Sequence, residues 1–281
     1  MILLIDIGNT RTKWALAANE GAETGLAADA SDLSEFDVCM NGDLPLSALQ
    51  KTAIKAKKVV VANVAGEAMA KQLGQLLLRH DITFVETSLK ACGVTNSYIQ
   101  PEKLGADRWA ALVAAWHLSH QSTIVVNAGT AITIDVLNDQ GVFLGGTIMP
   151  GLQLMRTALS NSTAKLNLDA GEYALFPNNT QNAIETGCMN AAIGGIRLMV
   201  ERIQALQSEK GRLILTGGDA SKLLAGLGYS EKQDLPNKQH SVSRQDLLIK
   251  PNQQKKQVII KPYFAPHLVL QGLLLLERER V

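Results

Sequence analysis

A strand, a polar turn and a returning strand occur twice in this chain, and few folds accommodate such a pair. Ile2 to Ile5 is an unbroken apolar run, as expected of a strand covered on both faces, and Asp6 breaks it with a carboxylate. Gly8, Asn9 and Thr10 supply turn chemistry, and Thr12, Trp14 and Leu16 alternate with Lys13, Ala15 and Ala17 as in a strand folded back on the first. The pattern returns as the apolar run Ile124–Val126, the polar interruption Asn127-Ala128-Gly129-Thr130-Ala131 and the strand Ile132–Leu137. Glycine lets a ligand approach the backbone, while Asn, Thr and main-chain N–H groups offer donors to anionic oxygens, so each turn suits a phosphate and Asp6 suits Mg²⁺. Taken singly, the first hairpin reads equally well as an Asx-turn with a surface Asp. It is not a Walker A loop, because no Gly-Lys-Ser/Thr follows. As a pair, the hairpins predict two lobes, 1–119 and 120–281, with a nucleotide between them.

The 281 residues, 46% of them hydrophobic, are enough for two domains with their own cores. A net charge of +1 leaves no global basic field, so nucleic acid is not an expected partner and a small-molecule site is. Cys39, Cys92 and Cys188 are odd in number, far apart and without CxxC pairing, which argues against a disulfide framework and against a zinc site. The amino terminus has no basic region before Asp6, unlike a signal peptide, and the late apolar run Leu268–Leu276 is interrupted by Gln271 and Gly272 and too short to span a bilayer. The expectation is a cytoplasmic protein with no membrane partner.

Between the hairpins, helical patterns at Pro45–Lys57 and Glu67–Arg79 alternate with apolar strands at Val59–Val64 and Ile82–Val85, the order of an α/β domain. Residues 19–41 are polar and acidic, with at most a short strand pair, and read as peripheral to the chemistry. Leu104–Leu118 is an alanine-rich helix that opens on Gly105, Ala106, Asp107 and Arg108. An Asp in a first helical turn has an ordinary explanation in the macrodipole, and Arg108 an ordinary one as its surface partner. A strand at Val142–Met149 leads into a helix near Leu152. Thr180–Ser208 reads as one long helix whose Ala183, Gly187, Ala191, Ala192, Gly194 and Gly195 cost helix propensity, so something packs closely on it, a second subunit being one candidate. The strand Leu213–Thr216 runs into Gly217-Gly218, which suits either a nucleoside passing over backbone or a simple strand-to-helix turn. Residues 228–257 read as a polar loop and His267–Glu277 as a closing helix.

Together these segments resemble the type III pantothenate kinases. The resemblance rests on DIGNT at 6–10, Tyr98, LGADRW at 104–109, NAGTAITID at 127–135, GGTIMPGLQLMR at 145–156, TQNAIETGC at 180–188, LTGGDA at 215–220 and HLVLQGL at 267–273. It implies an α/β fold of two ribonuclease H-like lobes, with mixed sheets flanked by helices, of the actin-like, acetate kinase and sugar kinase superfamily. It also implies ATP-dependent phosphorylation of pantothenate, the first step of coenzyme A synthesis. By resemblance Asp6 holds Mg²⁺, and Gly8, Asn9 and Thr10 grip ATP phosphates with Gly129 and Thr130, Gly217 and Gly218 also serving ATP. Asp107 is then the base for the substrate hydroxyl, and Tyr98, Gly105, Ala106, Asp107 and Arg108 line the pantothenate pocket, Arg108 as a partner for a carboxylate or phosphate. Thr180 reaches that pocket across a homodimer interface. The implied monovalent cation, K⁺ or NH4⁺, has Asp135 as candidate ligand, with Asn127 as a second. Asn127 departs from the family, most of whose members carry Asp there. An active kinase and a non-catalytic regulatory protein of the same fold, as in the Bvg accessory factors, are the two readings.

Overall fold

The computed structural model describes residues 1–18, 32–43, 46–162, 171–206, 211–229 and 262–280. β1 (Ile2–Ile7) and β2 (Arg11–Ala17) pair antiparallel from Ile2↔Ala17 to Ile7↔Thr12, the hairpin expected from the sequence. β3 (Leu33–Met40) adds to β2 at the sheet edge, largely exposed. Its apolar alternation is broken by a register shift opposite Trp14 and Leu16, with Glu35 at φ 50°, so the strand is weakly marked in sequence. After α1 (Leu46–Ala53) comes β4 (Lys58–Asn63), parallel to β1, then α2 (Glu67–Leu76) and β5 (Asp81–Phe84), parallel to β4. The sheet order is β3-β2-β1-β4-β5.

Side chains alternate across a strand, so Leu3, Ile5 and Ile7 share one face with Trp14, Leu16, Val59 and Val61, and there they pack on Leu49 and Ala53 of α1 and Leu73 of α2. α3 (Ala106–Ser119) contacts β4, and α7 (Leu268–Arg280) contacts β1, β2 and β4. Covering helices of this kind are why β1 is a continuous apolar run. α3 and α7 pack on each other at very short range: a Cβ added to Gly272 would lie 1.8 Å from the Ala110 carbonyl oxygen. The alanines of α3 therefore serve close helix packing as well as helix propensity.

β6 (Lys90–Ala91) and β7 (Val94–Asn96) form a small hairpin turning on Cys92 and Gly93, both at positive φ. Such a turn favours Asn-Gly or Asp-Gly, and a Cys in its first place gives no sequence signal. Here Glu279 of α7 accepts the Cys92 N–H at 2.7 Å. β8 (Thr123–Ala128) and β9 (Ala131–Leu137) are neighbours in the second sheet, followed by β10 (Val142–Pro150), α4 (Leu152–Ser162), α5 (Thr180–Leu206), β11 (Arg212–Thr216), α6 (Ala220–Gly226) and β12 (Pro262–Phe264). This sheet runs β12-β11-β8-β9-β10-β7-β6, with β10–β7 and β11–β12 parallel and β6–β7 antiparallel. Mixed sheets flanked by helices are the expected fold class. The chain divides into two compact units, residues 1–125, 135–147 and 267–281 in one and 126–134 and 148–266 in the other. Most of the polar segment 228–257 lies outside the described residues.

Candidate active site

The first unit holds Asp6, the Gly8–Thr10 turn and the start of α3. Asp6 lies at the penultimate position of β1 opposite Lys13, and the turn closes with Gly8 N–H donating to the Arg11 carbonyl at 3.0 Å. Burial pushes the Asp6 carboxyl up to about 7; Lys13 opposes this and the charge of Asp107 adds to it. Asp6 and Asp107, far apart in sequence, therefore share one electrostatic environment. Two desolvated carboxyls of like sign suit a divalent cation, and Mg²⁺ commonly takes one or two carboxylates with the rest of its shell from water and phosphate oxygens.

Asp107 stands in the first turn of α3, where its Oδ1 accepts the Arg108 N–H at 2.8 Å. Burial raises its carboxyl above the usual range, against the backbone hydrogen bond and charge of Arg108. Gly105 leaves room for it: a Cβ there would lie 2.7 Å from Asp107 Oδ1 and would displace that carboxyl. Ala106 is buried and presents no polar side chain.

Arg108 is buried, at 6% exposure, and its guanidinium is occupied. Nε donates to both oxygens of Asp135 at 3.2 and 3.1 Å, Nη2 donates to Asp135 Oδ1, and Nη1 donates to the Tyr98 hydroxyl at 2.8 Å. The Tyr98 and Phe143 rings flank the cation, at 5.6 and 5.8 Å from its central carbon. Burial opposes the Arg108 charge, but the hydrogen bonds and charge of Asp135, with Tyr98, hold it above its ordinary value. This arrangement differs from the sequence expectation of Arg108 open to a substrate anion and Asp135 open to a monovalent cation, for here the two meet each other. Phe143 was not foreseen; it sits on β10, where nothing in the sequence separates it from an ordinary core aromatic. An open groove of about 500 Å³ takes in Tyr98 with Ser97, Gln100, Lys103, Leu144 and Gly145, but neither Asp107 nor Arg108.

The second unit gathers the other candidates around the β8–β9 turn. Gly129 N–H donates to the Ala131 carbonyl at 3.0 Å, much as Gly8 closes the first turn. Gly217, at φ 95°, passes so close that a Cβ would lie 2.4 Å from the Ala128 carbonyl oxygen, and Asp219 N–H donates to that same oxygen at 3.0 Å. Gly151 is equally tight, its N–H bonded to the Thr130 carbonyl at 2.8 Å. Asn127, Gly129, Thr130, Gly217 and the exposed Gly218 are thus brought into one neighbourhood by backbone contacts that tolerate no side chain at Gly217 or Gly151. Thr180 is exposed at the first position of α5. The small residues of that helix divide: Gly195 packs against Met149 and Ile134, whereas a Cβ at Gly187 or Gly194 would meet nothing within 4 Å.

Fold and site define an α/β protein with one desolvated carboxyl, Asp6, leading into a glycine-bearing hairpin, another, Asp107, in the first turn of α3, and a further such hairpin in its other unit. The sequence model of type III pantothenate kinase matches residues 2–202. The type III pantothenate kinase of Aromatoleum aromaticum is 40% identical over 242 residues, covering 84% of this chain and 94% of that one. That of Methylobacillus flagellatus is 39% identical over 234 residues, covering 79% and 86%. This chain belongs to the type III pantothenate kinase family. A crystal structure of a conserved candidate Baf family transcriptional activator from Campylobacter jejuni superposes with a TM-score of 0.53 at 21% identity, over 99% of this chain and 100% of that one, a likeness of fold. Among the described residues no helix is long and apolar enough to cross a membrane.

Proposed function

We propose that this chain transfers the γ-phosphoryl group of ATP to the primary hydroxyl of pantothenate, yielding 4'-phosphopantothenate and ADP in the first step of coenzyme A biosynthesis. Family membership supports the reaction. The observation that carries it to particular residues is that the end of β1 meets the start of α3, Val64 N–H donating to the Ile7 carbonyl at 3.0 Å and a Cβ at Gly105 lying 3.6 Å from the Val64 side chain, so that the Asp107 charge acts on Asp6. Phosphoryl transfer needs positioning, charge neutralisation and a base at the attacking hydroxyl. Asp107 takes the hydroxyl proton as the oxygen–phosphorus bond forms and the bond to the ADP oxygen breaks. Asp6 would hold Mg²⁺, which when bound with ATP would supply neutralisation of charge on the phosphate oxygens. Gly8, Asn9 and Thr10, with Gly129 and Thr130, grip the phosphates, and Gly217 and Gly218 pass under the nucleoside. Tyr98, Gly105, Ala106, Asp107 and Arg108 form the pantothenate pocket, in which Arg108 holds the Tyr98 hydroxyl in place. A monovalent cation, K⁺ or NH4⁺, belongs to the same reading. The Asn127 amide oxygen supports its binding better than Asp135, both of whose oxygens are engaged by Arg108.

Coupled ADP release with ATP, Mg²⁺, K⁺ and pantothenate tests the proposal. Turnover that depends on pantothenate is expected, and its absence at every cation concentration sinks the kinase reading. A homodimer through α5, with Thr180 entering the partner's pocket, is part of the proposal. The open surfaces at Gly187 and Gly194 support it, as do the exposed Leu198 on α5 and Tyr173, Leu175 and Phe176 just before it. Sedimentation at micromolar concentration should give the dimer mass, and a strict monomer removes Thr180 from the site. Action in the cytoplasm also belongs to this reading, supported by the free Cys39, Cys92 and Cys188.

A further inference from the structure

We infer that Asn41 is a positioning residue for nucleotide binding, holding the Gly8–Thr10 turn in the shape that presents N–H groups to phosphate. The inference rests on the proposed role of that turn in gripping ATP. Asn41 follows directly on β3, where the pairs Arg11↔Met40 and Thr12↔Cys39 bring it beside the turn. It makes three hydrogen bonds there. Its backbone N–H donates to the Thr10 carbonyl at 2.9 Å, its Nδ2 donates to the Gly8 carbonyl at 2.7 Å, and its Oδ1 accepts from the Thr12 hydroxyl at 2.8 Å. Thr12 is 1% exposed, so its hydroxyl has little recourse to water. Residues 19–41 read from sequence as peripheral; the last of them is a brace on the turn.

The consequence follows from peptide geometry. In a planar trans peptide the C=O and N–H point in opposite directions. By holding the Gly8 carbonyl, Asn41 points the N–H of Asn9 to the opposite side of the turn. By holding the Thr10 carbonyl, it keeps that oxygen off the same side. An anion site made of main chain works only if N–H groups face the ligand, and a peptide flipped through 180° would present a carbonyl oxygen to a phosphate oxygen. Gly8 has no side chain to resist such a flip, so the restraint has to come from a neighbour. Asn suits the place because one side chain both donates to Gly8 and accepts from Thr12.

Four variants test this. Asn41→Ala removes both side-chain bonds, and Asn41→Asp keeps the acceptor for Thr12 but removes the donor to Gly8. Thr12→Val removes the hydroxyl at nearly constant volume, and Thr12→Ser retains it. Both Asn41 variants are expected to raise the KM and the titrated Kd for Mg²⁺-ATP by about tenfold while the KM for pantothenate changes by less than about twofold. Thr12→Val should show a smaller rise in the same direction and Thr12→Ser recover it. An ATP KM within about twofold of wild type in Asn41→Ala overturns the inference, as does a parallel rise in both substrates' KM values, the mark of general damage. Circular dichroism on each variant excludes misfolding as the cause. If the wild-type chain binds ATP but turns nothing over, the kinase reading fails and the Kd values still decide the role of Asn41. If it binds no ATP, both fall.

Discussion

Asp107→Asn lowers kcat by about two orders of magnitude or more while leaving the fold and both KM values nearly unchanged. The substitution keeps the size and shape of a side chain whose oxygen accepts the Arg108 N–H at 2.8 Å, so the start of α3 is preserved. What it removes is basicity. Burial raises the Asp107 carboxyl above the usual carboxylate range, which brings its proton affinity closer to a working pH near neutrality, where a base is most effective. Because the base must be ionised to accept the pantothenate proton, wild-type kcat falls as pH drops through that raised pKa. In Asp107→Asn most of the rate is lost, and any acid limb that remains belongs to Asp6, whose carboxyl is pushed up to about 7. Coupled ADP release across the pH range measures both effects. Near-normal turnover removes Asp107 from the role of base.

The hairpin carrying Asp6 was legible because a buried strand advertises itself as a run of apolar residues and its turn as Gly-Asn-Thr. The recurrence at Asn127–Ala131 was legible for the same reason. From spacing alone the start of α3 was legible as a helix and not as a site, since an Asp in a first turn has a sufficient reason in the macrodipole, and only the family resemblance marked Asp107 as a base. In the structure its burial and its charge acting on Asp6 set it apart. Other features were silent for physical reasons. β3 has no clean alternation because its register shifts at Glu35, so the Asn41 brace at its end could not be placed. The Cys92-Gly93 turn carries Cys where Asn or Asp would mark its first place, the Cys92 N–H being satisfied by Glu279 from the far end of the chain. Arg108 and Asp135 carry no joint pattern at all: they lie on a helix and a strand of different motifs, and their pairing exists only once α3 and β9 are in place.

That pairing leads to the largest stability effect. Asp135→Asn is expected to cost about 3–5 kcal/mol, because it leaves the buried Arg108 guanidinium without its counter-charge rather than merely deleting a bond. Asp135 is 2% exposed and receives both Nε and Nη2 of Arg108, so water cannot replace it at either nitrogen. A thermal midpoint lower by roughly 10 °C should be seen in potassium-free buffer. If the carboxylate's cost lies in the isolated charge, removing both charges should recover stability, and Arg108→Met with Asp135→Leu should melt above Asp135→Asn. Turnover in that double variant stays low, because the Nη1 bond that holds the Tyr98 hydroxyl is lost with the arginine. The alternative role of Asp135, as ligand to a monovalent cation, makes the opposite prediction. It leaves the potassium-free midpoint within about 1 °C of wild type and instead raises the potassium concentration needed for half-maximal activity. Melting with and without potassium, set beside the potassium dependence of the rate, separates an internal ion pair from a cation site.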